Sequence, residues 1–65
     1  MIIKSIYKGE HGSCGYGLGY EYKLILTHTK KEYIFIEQTN GEGLCVYATI
    51  ITFLQNWSDI KVISK

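Results

Sequence analysis

The stretch YEYKLILTHTKKEYIFIEQ, residues 20–38, decides the fold of this 65-residue chain. Residues 20–28 predict a strand, because every second residue from Tyr20 to Leu26 is apolar, which is the period of a half-buried strand. A short polar turn follows at residues 29–31, and residues 32–38 then predict a strand that is apolar on both sides. Because the turn is tight, we expect the two strands to form an antiparallel hairpin.

Three further elements surround this hairpin. Residues 2–8 predict a strand before it, and residues 59–64 predict one at the end of the chain. Between them, residues 44–57 place their apolar side chains on one wide arc of a helical wheel, which favours a helix. A strand is the alternative there, because residues 49–52 are β-branched and poor helix formers. We therefore predict a single α+β domain over residues 1–65, with the order β-β-β-α-β: a small antiparallel sheet of three to four strands and one helix packed on one face.

The charge pattern excludes some classes of partner. The net charge is only +1, and the seven basic residues are all lysines. Proteins that bind duplex nucleic acid usually carry a basic stripe and use arginine for bidentate contacts, so duplex nucleic acid is an unlikely partner. No apolar run approaches the ~20 residues that cross a bilayer, so we expect no membrane association.

The N-terminus and the composition suggest where the protein acts. The first residues read as a strand and lack the features of a signal peptide, so we predict a cytoplasmic protein. Cys14 and Cys45 are then expected to be reduced thiols. A composition rich in lysine, isoleucine and tyrosine, without arginine or proline, is typical of many tiny proteins of bacteriophages and mobile elements.

The apolar surface is larger than one helix can cover. Residues 43–58 contain no charged side chain, and the predicted sheet has an aromatic second side formed by Tyr33 and Phe35, joined by Tyr7. We therefore predict a protein partner, with homo-oligomerisation as the expected form of contact. The alternative is a monomer with scattered exposed apolar groups, which is common.

A glycine-rich loop, GEHGSCGYGLGY at residues 9–20, joins the first two strands. It matches neither phosphate-binding glycine motif, and it leads into a strand where those motifs open a helix. Tyr16 and Tyr20, with Gly17 between them, have the residue usage of a binding loop. The alternative is a long connection with no partner.

Four side chains are candidates for site chemistry: His11, Cys14, His28 and Cys45. They could supply a zinc site, but their spacing matches no zinc motif. A catalytic thiol would pair Cys14 with His11 or His28, yet no third, orienting residue is evident. We therefore predict no metal, no cofactor and no enzymatic activity.

These observations predict a small non-catalytic binding protein, an inhibitor or regulator of the phage or mobile-element type that occupies a host macromolecule. Its predicted contact residues are Tyr7, Tyr16, Gly17, Tyr20, Tyr33 and Phe35. One alternative is a binder that sequesters a small ligand or nucleotide at a subunit interface, with Lys4, Lys8 or Lys23 on the phosphate. A second alternative is a zinc-stabilised interaction module.

Overall fold

The computed structural model describes residues 1–65 and contains one sheet and one α-helix. The strands are β1 (Ile2–Tyr7), β2 (Glu21–His28), β3 (Ile34–Gln38), β4 (Cys45–Tyr47) and β5 (Trp57–Ser64), and the helix α1 (Ile50–Asn56) joins β4 to β5. All neighbouring strands are antiparallel, in the order β4-β3-β2-β1-β5. The predicted α+β class is confirmed. The sheet has five strands rather than three to four, and the element order is β-β-β-β-α-β.

The predicted helix over residues 44–57 is wrong in its first part. Cys45 and Tyr47 are buried while Val46 is exposed, and this alternation places the segment on the edge of the sheet beside β3. The helix begins only at Ile50. Thr49 has an extended backbone, and its hydroxyl accepts a hydrogen bond from the Thr52 N–H at 3.2 Å, so Thr49 is the N-cap.

The sheet curls so strongly that its two edges come together. In a flat sheet of five strands the outer strands would lie about 19 Å apart, given a spacing of ~4.8 Å between neighbours. Here the Trp57 indole N–H, at the start of β5, donates to the Tyr47 hydroxyl on β4 at 3.0 Å. Helix α1 crosses the remaining gap and buries Phe53, whose ring lies 5.8 Å from that of Tyr47. The curled sheet therefore has a concave inner face, which holds the core, and a convex outer face.

The core follows from alternation along the strands. Its buried members are Ile3, Tyr7, Tyr16, Leu24, Ile34, Ile36, Cys45, Tyr47, Phe53 and Trp57. Ser5 is the buried polar residue, and its hydroxyl donates to the Ser58 carbonyl at 2.7 Å, which satisfies it. The outer face carries the half-buried Ile25 and Phe35 and the exposed Val46. No helix of the structure is long and apolar enough to span a bilayer.

Candidate functional site

The six predicted contact residues do not form one surface. Tyr7 and Tyr16 are buried on the inner face, with 2% and 0% of their surface exposed. Tyr7 was expected beside Tyr33 and Phe35, but its position on β1 points inward with Ile3, because residues two apart on a strand share a face. These two tyrosines are part of the core.

The other four lie at separate places. Tyr20 and Tyr33 are exposed, at 64% and 43%, and Phe35 is half-buried on the outer face. Gly17 stands where a side chain would collide with the Tyr20 ring, 2.6 Å from an added Cβ, and its N–H donates to the Tyr22 hydroxyl at 2.7 Å. Gly17 is therefore needed for close packing within the loop.

Tyr16 anchors the glycine-rich loop to the sheet. Its ring centroid lies 4.9 Å from those of Tyr22 and Trp57, both edge-on, and 5.6 Å from that of Tyr7. We call these four residues the aromatic cluster. Edge-on aromatic contacts add to the stabilisation that comes from burial. Through Tyr16, the loop covers one end of the core.

The Tyr16 hydroxyl is buried without a hydrogen-bond partner. Burial raises its pKa to about 12, so it keeps its proton at neutral pH. The Tyr47 hydroxyl, also buried, accepts from Trp57 and lies 3.5 Å from the Cys45 sulfur. Because a disulfide sulfur has no hydrogen, Tyr47 is the donor in that contact.

The Tyr16 hydroxyl has no hydrogen-bond partner, whereas the Tyr47 hydroxyl has two, so removing them should change the stability in opposite directions. We expect Tyr16→Phe to raise the free energy of unfolding by about 1 kcal/mol, because it removes an unpaired buried donor. Tyr47→Phe is the matched control, and we expect it to lower that free energy by about 1–3 kcal/mol, because the Trp57 N–H loses its acceptor. Urea unfolding followed by Trp57 fluorescence measures both. Equal destabilisation by the two substitutions would show that the Tyr16 hydroxyl has a partner.

Cys14 and Cys45 form a disulfide, which corrects the expectation of reduced thiols. Their Cα atoms lie 5.9 Å apart, and the bond joins the loop to β4. The thiol nucleophile considered for Cys14 is thus absent from this form of the protein, and no three His, Cys, Asp or Glu side chains cluster as metal ligands would. The His11 Nδ1 instead accepts from the Leu18 N–H at 3.0 Å.

The structure contains a groove of about 620 Å³ at the end of the sheet opposite the loop. Its lining residues are Met1, Leu26, His28, Glu32, Ile34, Thr49, Ile50 and Ile51, and we call it the apolar groove. Leu26 and Ile34 lie on the inner face of the sheet, and the first turn of α1 forms one wall. The groove therefore lies where the curled sheet is left open.

The exposed face of α1 extends the apolar groove. Ile50, Ile51 and Leu54 keep 53%, 66% and 47% of their surface exposed, although α1 buries Phe53. Exposed aliphatic side chains beside a groove of this volume are typical of surfaces that contact another molecule. In the sequence, the stretch without charged residues at 43–58 predicted that some apolar surface would be exposed. It did not predict a groove beside α1.

The polar rim of the apolar groove combines the Glu32 carboxylate and the His28 imidazole with the ammonium group of Met1. Glu32 and His28 are its ionisable side chains, and no lysine lines it. Lys4 and Lys23, considered for a nucleotide, pair with each other across β1 and β2 on the outer face. Comparisons with protein-family models, with curated proteins and with solved structures found no match.

Proposed function

We propose that this protein is a non-catalytic binding protein whose apolar groove takes an uncharged aliphatic segment of a different protein. The observation that carries the proposal is the groove itself, with aliphatic side chains on its floor and along its α1 wall. Its volume of about 620 Å³ lies within the range of ligand sites, about 300–1,000 Å³. Aliphatic segments of proteins gain most from such a site, because burial of apolar area is their main source of affinity.

A protein partner fits this surface better than a nucleotide or another small ligand. A nucleotide would bring its phosphates to a rim that has a carboxylate and no lysine side chain. A small ligand confined to the groove would leave Leu54 exposed, because Leu54 does not line it. A protein segment can cover both the groove and the face of α1.

The proposal keeps two predictions from the sequence, one about the biological role and one about the location of the protein. Action as an inhibitor or regulator of the phage or mobile-element type rests on composition and size. The cytoplasmic location stays a prediction, and the disulfide favours an oxidising compartment instead, because structural disulfides persist there.

Self-association also stays a prediction. The accessible surface of 4321 Å² is close to the roughly 4,250 Å² expected of a compact folded monomer of this mass, so total area gives no sign of an obligate partner. Light scattering over a range of concentrations measures the oligomeric state directly.

Peptide selection tests the proposed contact. A random peptide library is selected against the wild-type protein, and the selected peptides are titrated by fluorescence anisotropy against Ile51→Lys. We expect aliphatic peptides to be selected and their affinity to fall by roughly tenfold or more, about 1.4 kcal/mol, because the substitution puts a charge at the edge of the groove.

The matched control is Leu18→Lys, which changes another exposed aliphatic residue, in the glycine-rich loop. Both variants should unfold at the wild-type temperature, since both positions are exposed. If the peptides bind wild type, Ile51→Lys and Leu18→Lys equally well, the apolar groove is not where they bind. A rise of the unfolding temperature with a nucleotide would favour the small-ligand alternative.

A further inference from the structure

The first part of the glycine-rich loop, residues 9–16, is held to the rest of the fold in an unusual way. We call it the loop arm. Its backbone N–H groups at Gly12, Ser13, Gly15 and Tyr16 all donate to carbonyl oxygens within the arm, at 2.7–3.1 Å. No backbone hydrogen bond joins the arm to a strand or to α1. The arm is therefore a self-contained turn laid against the sheet.

The second part of the loop is tied to the sheet directly. Gly19 N–H donates to the Tyr7 carbonyl at 2.8 Å, and the Tyr7 N–H donates to the Tyr20 carbonyl at 3.0 Å. Gly17 is held by the Tyr22 hydroxyl. The loop therefore has a fixed half at residues 17–20 and an arm that could move without breaking the ladder between β1 and β2.

Two tethers hold the arm against the sheet, and a hydrogen bond from the Leu18 N–H to the His11 Nδ1 joins it to the fixed half of the loop. One is the disulfide from the exposed Cys14 to the buried Cys45 on β4. The other is the ring of Tyr16, which fills the end of the core against the other three rings of the aromatic cluster. The Tyr16 hydroxyl has no hydrogen-bond partner there. Only the first of these tethers is covalent.

We propose that the Cys14–Cys45 disulfide is a redox latch that keeps the loop arm closed over the aromatic cluster. A dithiol reductant opens it: two thiol–disulfide exchange steps transfer two electrons and two protons, leaving thiols on Cys14 and Cys45 and the reductant as a cyclic disulfide. The solvent exposure of Cys14 makes that end of the bond accessible to attack. The proposal concerns the end of the sheet opposite the apolar groove and does not depend on the proposed function.

Release of the latch favours the open arm for two reasons. Eight residues, three of them glycines, regain conformational freedom, and glycine gains more than any other residue. The Tyr16 hydroxyl gains hydrogen bonds to water that it lacks when buried. Opening loses the burial of one aromatic ring and the hydrogen bond between the Leu18 N–H and the His11 Nδ1. Opening exposes Tyr7, Tyr22 and Trp57, so the reduced protein presents an aromatic surface that the oxidised protein hides.

The single tryptophan allows a direct test. Acrylamide quenching of Trp57 fluorescence is measured with and without dithiothreitol, and hydrogen exchange is followed residue by residue in both states. We expect reduction to increase quenching several-fold and to abolish protection in residues 9–16, while the amides of β1, β2 and β3 stay protected. The variant Cys14→Ser/Cys45→Ala should show the open behaviour without reductant and no response to it.

Two results would contradict the proposal that the disulfide holds the loop arm closed. Quenching that does not change on complete reduction, with both thiols confirmed by alkylation, would show that Tyr16 stays in place without the bond. Complete loss of protection in β1, β2 and β3 together with the arm would show that the reduced chain unfolds as a whole and that the arm does not open on its own. Tyr16→Leu provides a second check, because with the disulfide intact it should increase quenching of Trp57 while the arm keeps its protection.

Discussion

We expect the variant Cys14→Ser/Cys45→Ala to unfold with a free energy about 3–4 kcal/mol lower than that of the oxidised wild type. The bond closes a loop with a sequence separation of 31 residues, and loop-closure entropy gives about this value for a loop of that length. For a domain of this size the same loss lowers the Tm by roughly 15–30 °C. Thermal unfolding followed by circular dichroism measures the shift.

The size of this effect depends on how little else stabilises the chain. A core of about 65 residues contributes only about 3–5 kcal/mol net, so the disulfide accounts for close to half of the total. The reduced chain is then folded at 25 °C but unfolds with mild heating. Reductant should bring the wild type to the Tm of the variant and leave the variant unchanged. A reduced wild type that melts within a few degrees of the oxidised protein would contradict the prediction.

The hairpin of β2 and β3 could be predicted from sequence because its signal is local. Alternation from Tyr22 to Leu26 requires only that one side of the strand be buried, and the structure buries that side. The predicted boundaries differ from the observed ones by one residue for β2 and by two for the start of β3. Local periodicity was sufficient for these elements.

The segment around Cys45 could not be assigned in the same way. Its apolar residues fit both a helical wheel and a short strand, so the outcome depends on partners distant in sequence. Here Cys45 pairs with Ile36 on β3, which requires an extended backbone at Cys45, and it is also bonded to Cys14. The strand at Cys45–Tyr47 is thus set by tertiary contacts.

Two of the predicted contact residues, Tyr7 and Tyr16, are core residues in the structure. Tyrosine is typical of binding loops, but it is also large enough to fill the end of a small core, and sequence alone does not separate the two uses. Tyr7 and Trp57 are cross-strand neighbours on β1 and β5, and Tyr16 packs on both rings, which buries all three. The apolar groove was missed because it forms only where Leu26, Ile34 and α1 meet.

Tyr16 and Tyr20 lie in the same loop, but Tyr16 is buried and Tyr20 is exposed, so truncating them should have very different costs. We expect Tyr16→Ala to lower the free energy of unfolding by about 3–5 kcal/mol, the usual cost of truncating a buried aromatic residue. The change removes every contact of its ring with Tyr7, Tyr22 and Trp57 and leaves a cavity at the end of the core.

Tyr20→Ala is the matched control, because the same truncation in the same loop removes a side chain that is 64% exposed. We expect it to change the free energy of unfolding by less than about 0.5 kcal/mol, as surface substitutions usually do. Urea unfolding of the oxidised variants, followed by circular dichroism, avoids the change in Trp57 fluorescence that loss of Tyr16 itself causes. Similar small losses for both variants would place Tyr16 on the surface with Tyr20, as the sequence first indicated. If only Tyr16→Ala lowers the free energy of unfolding strongly, Tyr16 is a core residue. Tyr20 can then be substituted to measure its role in binding a partner, because its loss does not disturb the fold.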